Sequence, residues 1–388
     1  MCAALPCAPS VPSASTEAPA DAPTYACALE PPGLLGHFQA HPPEGFAGRP
    51  FAARTFAGGV PGFVADFDLL TTADERLLAT LAQWPGQRAL RRLLTWRTCF
   101  AGSTVSEYLP LPAHTTQHTA PAALLDAVLQ DWQRSTRLLI LKDIALPTEL
   151  LPEDETRYAG ALLQACAAQG FVIVEGQALA YVPIDFASED EYLARLSSGR
   201  RKDIRRKLRA RQGLHVQVLA TGDACFADEA LLARLYALYQ QVYAQSELHF
   251  DRLSAGFFRA VLQDAALDGR VFLYATPAGA LVGFNLCFVH RGMLIDKYIG
   301  LDYALSRQHN LYFVSWMENL AYARMHGLRH YVAGWTDPQI KAYLGARFAL
   351  TRHAVYVRNP LLRAVLARLA RWFERDHAWF ADEGHDRR

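Results

Sequence analysis

Three short β-prone runs in the C-terminal half of this chain constrain its fold more than any other stretch. The runs span residues 270–276, 281–290 and 293–300. They are separated by short turns that contain Gly279 and Gly292, and connections of this length join antiparallel neighbours in a sheet. Apolar residues at helical spacing over 306–327, ended by Gly327, then predict a helix, and residues 328–335 predict one more strand. The stretch therefore indicates a three-strand meander, a crossover helix and a further strand.

A short motif follows this last strand: Lys341, two further residues, then Leu344 and Gly345. The element order together with this motif resembles the acyl-transfer half of the GNAT N-acetyltransferase superfamily, and within it the FemAB-like or BioF2-like branch. A basic block that begins near Arg200 and the segment 248–253 are also typical of that branch. The resemblance extends over residues 30–360 and implies an acyl or aminoacyl transferase.

The N-terminal half repeats the same general order of strands and helices. We therefore predict a mixed α/β fold of two tandem GNAT-like domains, each a largely antiparallel mixed sheet flanked by helices. The predicted bounds are a disordered Ala/Pro-rich tail over residues 1–28, a first domain over 29–198 and an acyltransferase domain over 199–388.

The composition excludes several classes of protein. A net charge of +1 with 51% hydrophobic residues indicates a globular chain without an overall nucleic-acid-binding charge. No apolar stretch reaches the roughly 20 residues of a membrane span, and the first 28 residues contain no Lys or Arg, so we expect no secretory signal. Seven cysteines without a CxxC pair favour reduced thiols in the cytoplasm and no metal site.

Residues 200–211 form the most concentrated charge feature, because eight of the twelve are Lys or Arg. On a helix, Arg201 and Arg205 lie one turn apart on one face. One interpretation is a solvated helix paired with the acidic residues 189–191. The other is capture of phosphate groups from a coenzyme, a carrier arm or RNA.

The donor site departs from the pattern of ordinary GNAT members, which hold the pyrophosphate of acetyl-CoA in a Gly-rich loop. The matching stretch here, residues 300–312, has glycine only at its start. Arg307 and Asn310 remain near a predicted helix N-terminus, where they can bind an anion. Acyl-CoA is thus one candidate donor beside carrier-bound and tRNA-bound acyl groups.

Lys341 stands where ordinary members often place the tyrosine that protonates the leaving thiolate. A lysine there can stabilise an oxyanion or donate a proton, or it is an ordinary surface lysine. Strand alternation predicts Asp296 and Tyr298 on one face and Lys297 on the other. Asp296 is then either a general base for an attacking amine, with Tyr298 beside it, or half of a structural ion pair.

Four other residues are predicted to contact the acceptor: His249, Asp251, Trp335 and Tyr343. The preferred interpretation is a cytoplasmic N-acyltransferase in which an amine attacks a small-molecule or carrier-bound acyl donor directly, with tRNA as a further candidate carrier. The alternative is a non-catalytic GNAT-like module whose basic helix binds RNA or another anionic partner.

Overall fold

The computed structural model describes residues 25–53, 56–69, 87–133, 135–246 and 250–369. It is a mixed α/β protein in which largely antiparallel sheets are flanked by helices, as the sequence predicts. Within the described ranges, none of the helices combines the length and the apolar character that a membrane span requires.

The strands are β1 (Tyr25–Ala26), β2 (Ala47–Gly48), β3 (Phe51–Ala53), β4 (Phe56–Val60), β5 (Gly62–Asp68), β6 (Thr95–Ala101), β7 (Leu111–Pro112), β8 (Leu138–Ala145), β9 (Val172–Pro183), β10 (His215–Ala220), β11 (Gly269–Ala275), β12 (Leu281–His290), β13 (Met293–Leu301), β14 (His330–Gly334) and β15 (Arg347–Val357).

The helices are α1 (Pro32–Ala40), α2 (Gln87–Leu94), α3 (Ala113–His118), α4 (Pro121–Trp132), α5 (Glu153–Ala168), α6 (Glu189–Ala194), α7 (Ser198–Leu208), α8 (Glu229–Gln245), α9 (Ala255–Gln263), α10 (Tyr303–Ser306), α11 (Leu311–Met325), α12 (Pro338–Leu344) and α13 (Pro360–Leu369).

The described residues divide into two compact units. The unit called here the C-terminal unit consists of residues 180–246 and 254–347, and the N-terminal unit of residues 25–179, 250–253 and 348–369. Compactness alone does not test whether residues 29–198 and 199–388 fold as separate domains, so those predicted bounds stay a prediction.

The sheet of the C-terminal unit has the strand order β10–β11–β12–β13–β14–β9. The predicted meander is confirmed, because β11, β12 and β13 pair antiparallel in sequence order. The crossover through α11 makes β14 parallel to β13, and residues 180–183 of β9 pair antiparallel with β14. Apolar side chains of β12 bury both faces of the sheet.

Helices cover both faces of this sheet. Leu238 of α8 and Phe258 of α9 are buried on one face, where the Phe258 ring contacts Phe284 of β12. Helix α11 covers the other face and is buried on nearly all sides. It begins at Leu311 rather than at residue 306, because Asn310 takes the left-handed conformation (φ +46°) and separates it from the short α10.

The sheet of the N-terminal unit has the order β2–β5–β6–β8–β15–β9, with residues 172–179 of β9 at its end. Strands β6 and β8 are parallel, and β8 pairs antiparallel with β15. The last strand of the chain therefore completes the sheet of the N-terminal unit.

The prediction of a disordered tail over residues 1–28 is wrong for its last four residues. Tyr25 and Ala26 form β1, which pairs with β7, and Ala28 is buried. The backbone N–H of Cys27 donates to Oε2 of Glu155 at 2.7 Å. Residues 25–28 are ordered because these backbone groups find partners in the N-terminal unit. Residues 1–24 lie outside the described residues.

Candidate active site

The parallel pairing of β13 with β14 ends at the centre of the C-terminal unit. Residues Met293 to Ile295 are in register with His330 to Val332, and the register stops there. Asp296 is the next residue of β13. Its carboxylate therefore lies where the two strands separate, at the carboxyl ends of parallel strands, which is where ligands commonly bind in α/β proteins.

A β-bulge at the same point overturns the predicted placement of Tyr298. Asp296 lies opposite Cys287, whereas Tyr298 lies opposite Leu286, so Lys297 is the extra residue of β13. Because Leu286 and Cys287 point to opposite faces, Asp296 and Tyr298 do as well. The Tyr298 ring packs against Phe257 and Phe258 of α9, away from the carboxylate.

Three side chains donate hydrogen bonds to Asp296. Oδ2 accepts from the Tyr331 hydroxyl at 2.9 Å, from Nδ2 of Asn319 at 3.0 Å and from Nδ2 of Asn285 at 3.2 Å. Oδ1 accepts from Nδ2 of Asn285 alone among these, at 3.2 Å. A fourth side chain, the Cys287 thiol, is also hydrogen-bonded to the carboxylate.

Burial raises the pKa of Asp296 from 3.8 to about 6, because the protein atoms around it replace water that would solvate the charge. Hydrogen bonds from Tyr331 and Asn285 and the positive charge of Lys341 act in the opposite direction. Asp296 as a whole residue is partly exposed, through atoms other than those that burial shields. A carboxylate with a pKa near neutrality is suited to accept a proton.

Lys341 is buried at 4% exposure, so it is not a surface lysine. It lies on α12, which begins after Asp337 and ends at Gly345, both in the left-handed conformation. A Cβ atom added to Gly334, at the end of β14, would lie 3.6 Å from the backbone oxygen of Asp296 and 3.9 Å from Nζ of Lys341. The structure therefore brings together Asp296 and Lys341, two of the three predicted catalytic residues.

The C-terminal end of α12 is held by α6 and α7. The Tyr343 hydroxyl donates to Oδ2 of Asp203 at 2.8 Å, and Nη1 of Arg200 donates to the Ala342 carbonyl at 3.4 Å. The Tyr192 hydroxyl donates to the Leu344 carbonyl. Tyr343, predicted to contact the acceptor, thus bonds to α7 and fixes the helix that carries Lys341.

A family model described as peptidoglycan biosynthesis/recognition matches residues 156–382, which is more than half of the chain. The chain belongs to the FemAB-like family. The resemblance to this family that the sequence predicts is thereby confirmed. A search of curated proteins found no match.

Solved structures support this fold. L-PGS from Bacillus licheniformis superposes with a TM-score of 0.50 at 11% identity, over 89% of this chain and 98% of that one. The C-terminal domain of a putative lysylphosphatidylglycerol synthetase from Agrobacterium fabrum gives 0.52 at 11% identity, over 86% and 89%. FemX gives 0.50 at 13% identity, over 86% and 98%. At these identities the similarity shows the fold alone.

The basic block of this FemAB-like chain is partly neutralised. Arg205 contacts Asp190 at 2.6 Å, and Arg211 contacts Glu189 at 3.0 Å, as the solvated-helix interpretation predicts. Nη1 of Arg201 donates to the Ala194 carbonyl at 3.4 Å. The outer face of α7 still lines a shallow depression. Its lining residues are Gly199, Lys202, Asp203, Arg205, Arg206 and Arg209. A role for Arg201 and Arg205 in donor binding stays a prediction.

The other predicted donor residues flank the start of α11. Arg307 is exposed, and its guanidinium lies 5.9 Å from the centre of the Tyr303 ring. Asn310 occupies the N-cap position of α11 without a side-chain capping bond. Both are therefore close to backbone N–H groups of a helix start, and their contact with a donor stays a prediction.

Of the remaining acceptor candidates in this FemAB-like chain, Trp335 is part-buried directly after Gly334 and so lies near Lys341. Asp251 belongs to the N-terminal unit, beside Phe250, whose ring contacts Phe100. His249 lies outside the described residues.

The sequence interpretation missed four polar residues around Asp296: Asn285, Asn319, Tyr331 and Tyr312. Burial, together with the negative charges of Asp337 and Asp296, raises the pKa of Tyr312 in the first turn of α11. Asn285 and Asn319 could have predicted this network from the sequence, because an amide inside an apolar strand or helix needs a buried polar partner.

Proposed function

We propose that this protein is an N-acyltransferase that moves an acyl or aminoacyl group from an activated donor to an amine. The observation that carries the proposal is the proximity of a carboxylate, Asp296, to a buried ammonium, Lys341, at the separated ends of β13 and β14. One group is suited to take a proton from nitrogen, and the other to stabilise negative charge on oxygen.

The reaction begins with the acceptor amine at Asp296. Its nitrogen forms a bond to the acyl carbon while Asp296 takes a proton from that nitrogen. Lys341 stabilises the negative charge that develops on the carbonyl oxygen. The bond from the acyl carbon to the leaving oxygen or sulfur then breaks, and the leaving atom ends with a proton. Asp296 returns to its charged form by giving up the proton it took.

Among donors, we favour an aminoacyl ester on tRNA over acyl-CoA. Residues 300–312 lack the glycines of a pyrophosphate-binding loop, and Asp302 and Asn310 begin the local helices instead. The cations around the α7 depression fit a polyanion, since they include Lys202 and Arg209. The family description suggests a peptidoglycan-type amine as the acceptor, and we place the reaction in the cytoplasm.

A second function is favoured by the same depression. If the carboxylate and lysine are remnants, the protein is a non-catalytic module that binds RNA through α7. The two functions differ in whether an amide product forms, so one assay separates them.

The test is to incubate the purified protein with tRNA charged with isotopically labelled amino acids, or with acetyl-CoA. The acceptor is a peptide bearing a single primary amine, and mass spectrometry detects the amide. Asp296→Asn should lower turnover by roughly 100-fold or more, the usual scale for a general base. Lys341→Met should lower kcat more than it raises KM, because its interaction strengthens in the transition state.

Lys142→Met is the matched control, because Lys142 is a part-buried lysine in the N-terminal unit. It should retain wild-type turnover in every preparation that remains folded by circular dichroism. Product formation that is equal in wild type, Asp296→Asn and Lys341→Met would place the chemistry elsewhere. RNA binding without any amide product would establish the second function.

A further inference from the structure

The hydrogen bonds to Asp296 are distributed unequally over its two carboxylate oxygens. Oδ2 accepts from Tyr331, Asn319 and Asn285, whereas Oδ1 accepts from Asn285 alone among these side chains. A carboxylate oxygen offers about two lone-pair positions. Three donors therefore saturate Oδ2. Oδ1 accepts from these three side chains only the bond that Asn285 shares between both oxygens, and the Cys287 thiol is the remaining hydrogen-bond partner of the carboxylate.

The amide groups of Asn285 and Asn319 are oriented by the carboxylate. Both side chains are buried, and both direct Nδ2 at Asp296. Their Oδ1 atoms are buried without a hydrogen-bond partner among the described residues. An unpaired buried carbonyl is costly, so this orientation persists because the N–H groups bind a charged acceptor.

The Tyr331 hydroxyl is fixed by its surroundings. The side chain is buried at 2% exposure on β14, and its ring meets Trp316 edge-on with ring centres 5.1 Å apart. The hydroxyl accepts from Nδ2 of Asn319 at 3.2 Å while it donates to Oδ2 of Asp296. A donor that is itself hydrogen-bonded is polarised, and its own bond becomes stronger.

We propose that Tyr331 and Asn319 are positioning residues that hold Oδ2 of Asp296 and leave Oδ1 as the atom that takes the proton from the acceptor amine. This inference rests on the proposed function. The proton moves from the amine nitrogen to Oδ1 as the bond from nitrogen to the acyl carbon forms. It leaves Oδ1 when the leaving oxygen or sulfur gains its proton.

Several groups face Asp296 from the elements around it. They are Tyr274 of β11, Asn285 and Cys287 of β12, Tyr312 and Asn319 of α11, Tyr331 of β14 and Lys341 of α12. Tyr331, Asn285, Lys341 and Cys287 lower the pKa of Asp296, whereas the Tyr274 hydroxyl makes no hydrogen bond to it. Burial raises the pKa of Asp296 to about 6, and the hydrogen bond from Tyr331 is the largest opposing contribution. Loss of that bond raises the pKa further, because the charged form loses a donor.

The test is Tyr331→Phe, which removes the hydroxyl and keeps the ring. The protein carries carbon-13 in its aspartate carboxyl groups, and the signal of Asp296 is assigned by its absence in Asp296→Asn. We expect the pKa of Asp296 to rise by roughly one pH unit or more, the scale of a hydrogen bond to a charged group. The rising limb of kcat/KM against pH should move by the same amount.

Tyr274→Phe is the matched control. Tyr274 is a fully buried tyrosine of the same unit whose hydroxyl has no hydrogen-bond partner among the described residues. Removal of the Tyr274 hydroxyl should leave unchanged both the pKa of Asp296 in the carbon-13 titration and the dependence of kcat/KM on pH. Asn319→Ala is the second variant, and it should raise the pKa of Asp296 in the same direction as Tyr331→Phe.

An unchanged or lowered pKa in Tyr331→Phe and Asn319→Ala would overturn the proposal, as would a rate loss of equal size at every pH. The carbon-13 titration needs no substrate, so it reports on the network even if the protein transfers no acyl group. A shifted pKa without amide product would therefore support the network and contradict the proposed function.

Discussion

Among the described strands, β13 and β14 form a parallel pair in the C-terminal unit and β6 and β8 form one in the N-terminal unit, and the two pairs end in different ways. In the C-terminal unit, β13 and β14 separate after Ile295, and Asp296 keeps surface accessible to solvent. In the N-terminal unit, β6 and β8 separate after the pair Ala101–Leu141, and the next residues of β8 are Lys142 and Asp143. A lysine and an aspartate thus lie near the end of both pairs.

At the end of the β6–β8 pair, residues of the same unit form hydrogen bonds and ion pairs with Lys142 and Asp143. Lys142 forms an ion pair with Asp143, and Nζ of Lys142 donates to the Ser103 carbonyl at 3.0 Å. The backbone N–H of Leu109 donates to the Asp143 carbonyl at 2.9 Å. The loop after β6 therefore packs against β8 where β6 and β8 separate. Asp143 is 3% exposed, and its backbone N–H donates to Nδ1 of His353 at 3.0 Å.

The same topology therefore supports two outcomes. Where the polar groups satisfy one another, as at Asp143, they stabilise the fold. Where the hydrogen bonds are concentrated on one carboxylate oxygen, as on Oδ2 of Asp296, we propose that the other oxygen is available for chemistry. On the proposed function, chemistry depends on how the polar groups at the strand ends are satisfied rather than on the shared strand order.

The largest expected difference between the ends of the two strand pairs is in the free energy of unfolding after Asp143 or Asp296 is replaced by asparagine. Asp143→Asn removes the charge of a buried carboxylate that is ion-paired with the part-buried Lys142, which should cost roughly 2 kcal/mol in the free energy of unfolding. Asp296→Asn should not lower stability at pH 8, because burial disfavours the charge that it removes. Urea denaturation of both variants and the wild type measures the difference.

The difference in stability between Asp296→Asn and the wild type should depend on pH. The pKa of Asp296 in the folded protein, about 6, is above its ordinary value of 3.8, so this group stabilises the wild type as pH falls from 6 towards 4. The advantage of Asp296→Asn over the wild type should therefore be greatest above pH 6 and shrink below it. A large loss of stability in Asp296→Asn at pH 8 would remove the contrast between the two ends.

Two glycines provide a smaller and matched pair of tests. Gly334 (φ +78°) and Gly102 (φ +118°) both take left-handed backbone conformations where the parallel strands separate. Alanine at either position should cost about 1–2 kcal/mol of stability. Only Gly334→Ala should also lower turnover, because the backbone shift that relieves its strained φ occurs beside Asp296 and Lys341. Equal loss of turnover in folded Gly102→Ala would show that both ends serve the reaction.

The smallest effect is expected in the loop that closes the N-terminal pair. The hydroxyls of Ser103 and Ser106, both buried, share a hydrogen bond of 2.9 Å. Ser106→Ala should lower the free energy of unfolding by about 1 kcal/mol, the usual net value of such a bond. Turnover and KM should stay at wild-type values, and a change in either would mean that this loop contacts substrate.

Short-range patterns predicted much of this fold. The meander, the crossover helix, and the places of Asp296 and Lys341 follow from turn spacing and from a motif with glycine at its end. The face of Tyr298 was mispredicted, since a bulge inserts Lys297 and strict alternation cannot reveal it. The network around Asp296 was missed because its donors come from three separate elements, and only a folded chain brings them together.

The return of β15 to the N-terminal unit has a consequence for synthesis on the ribosome. Strand β8 emerges early, but its antiparallel partner is β15, from which Thr351 pairs with Ala145. Until that partner leaves the exit tunnel, one edge of β8 presents unpaired N–H and C=O groups, which invite pairing with other chains. The first unit to be translated is therefore the last to be completed, and a nascent chain that stops before residue 348 lacks a strand that its N-terminal half requires.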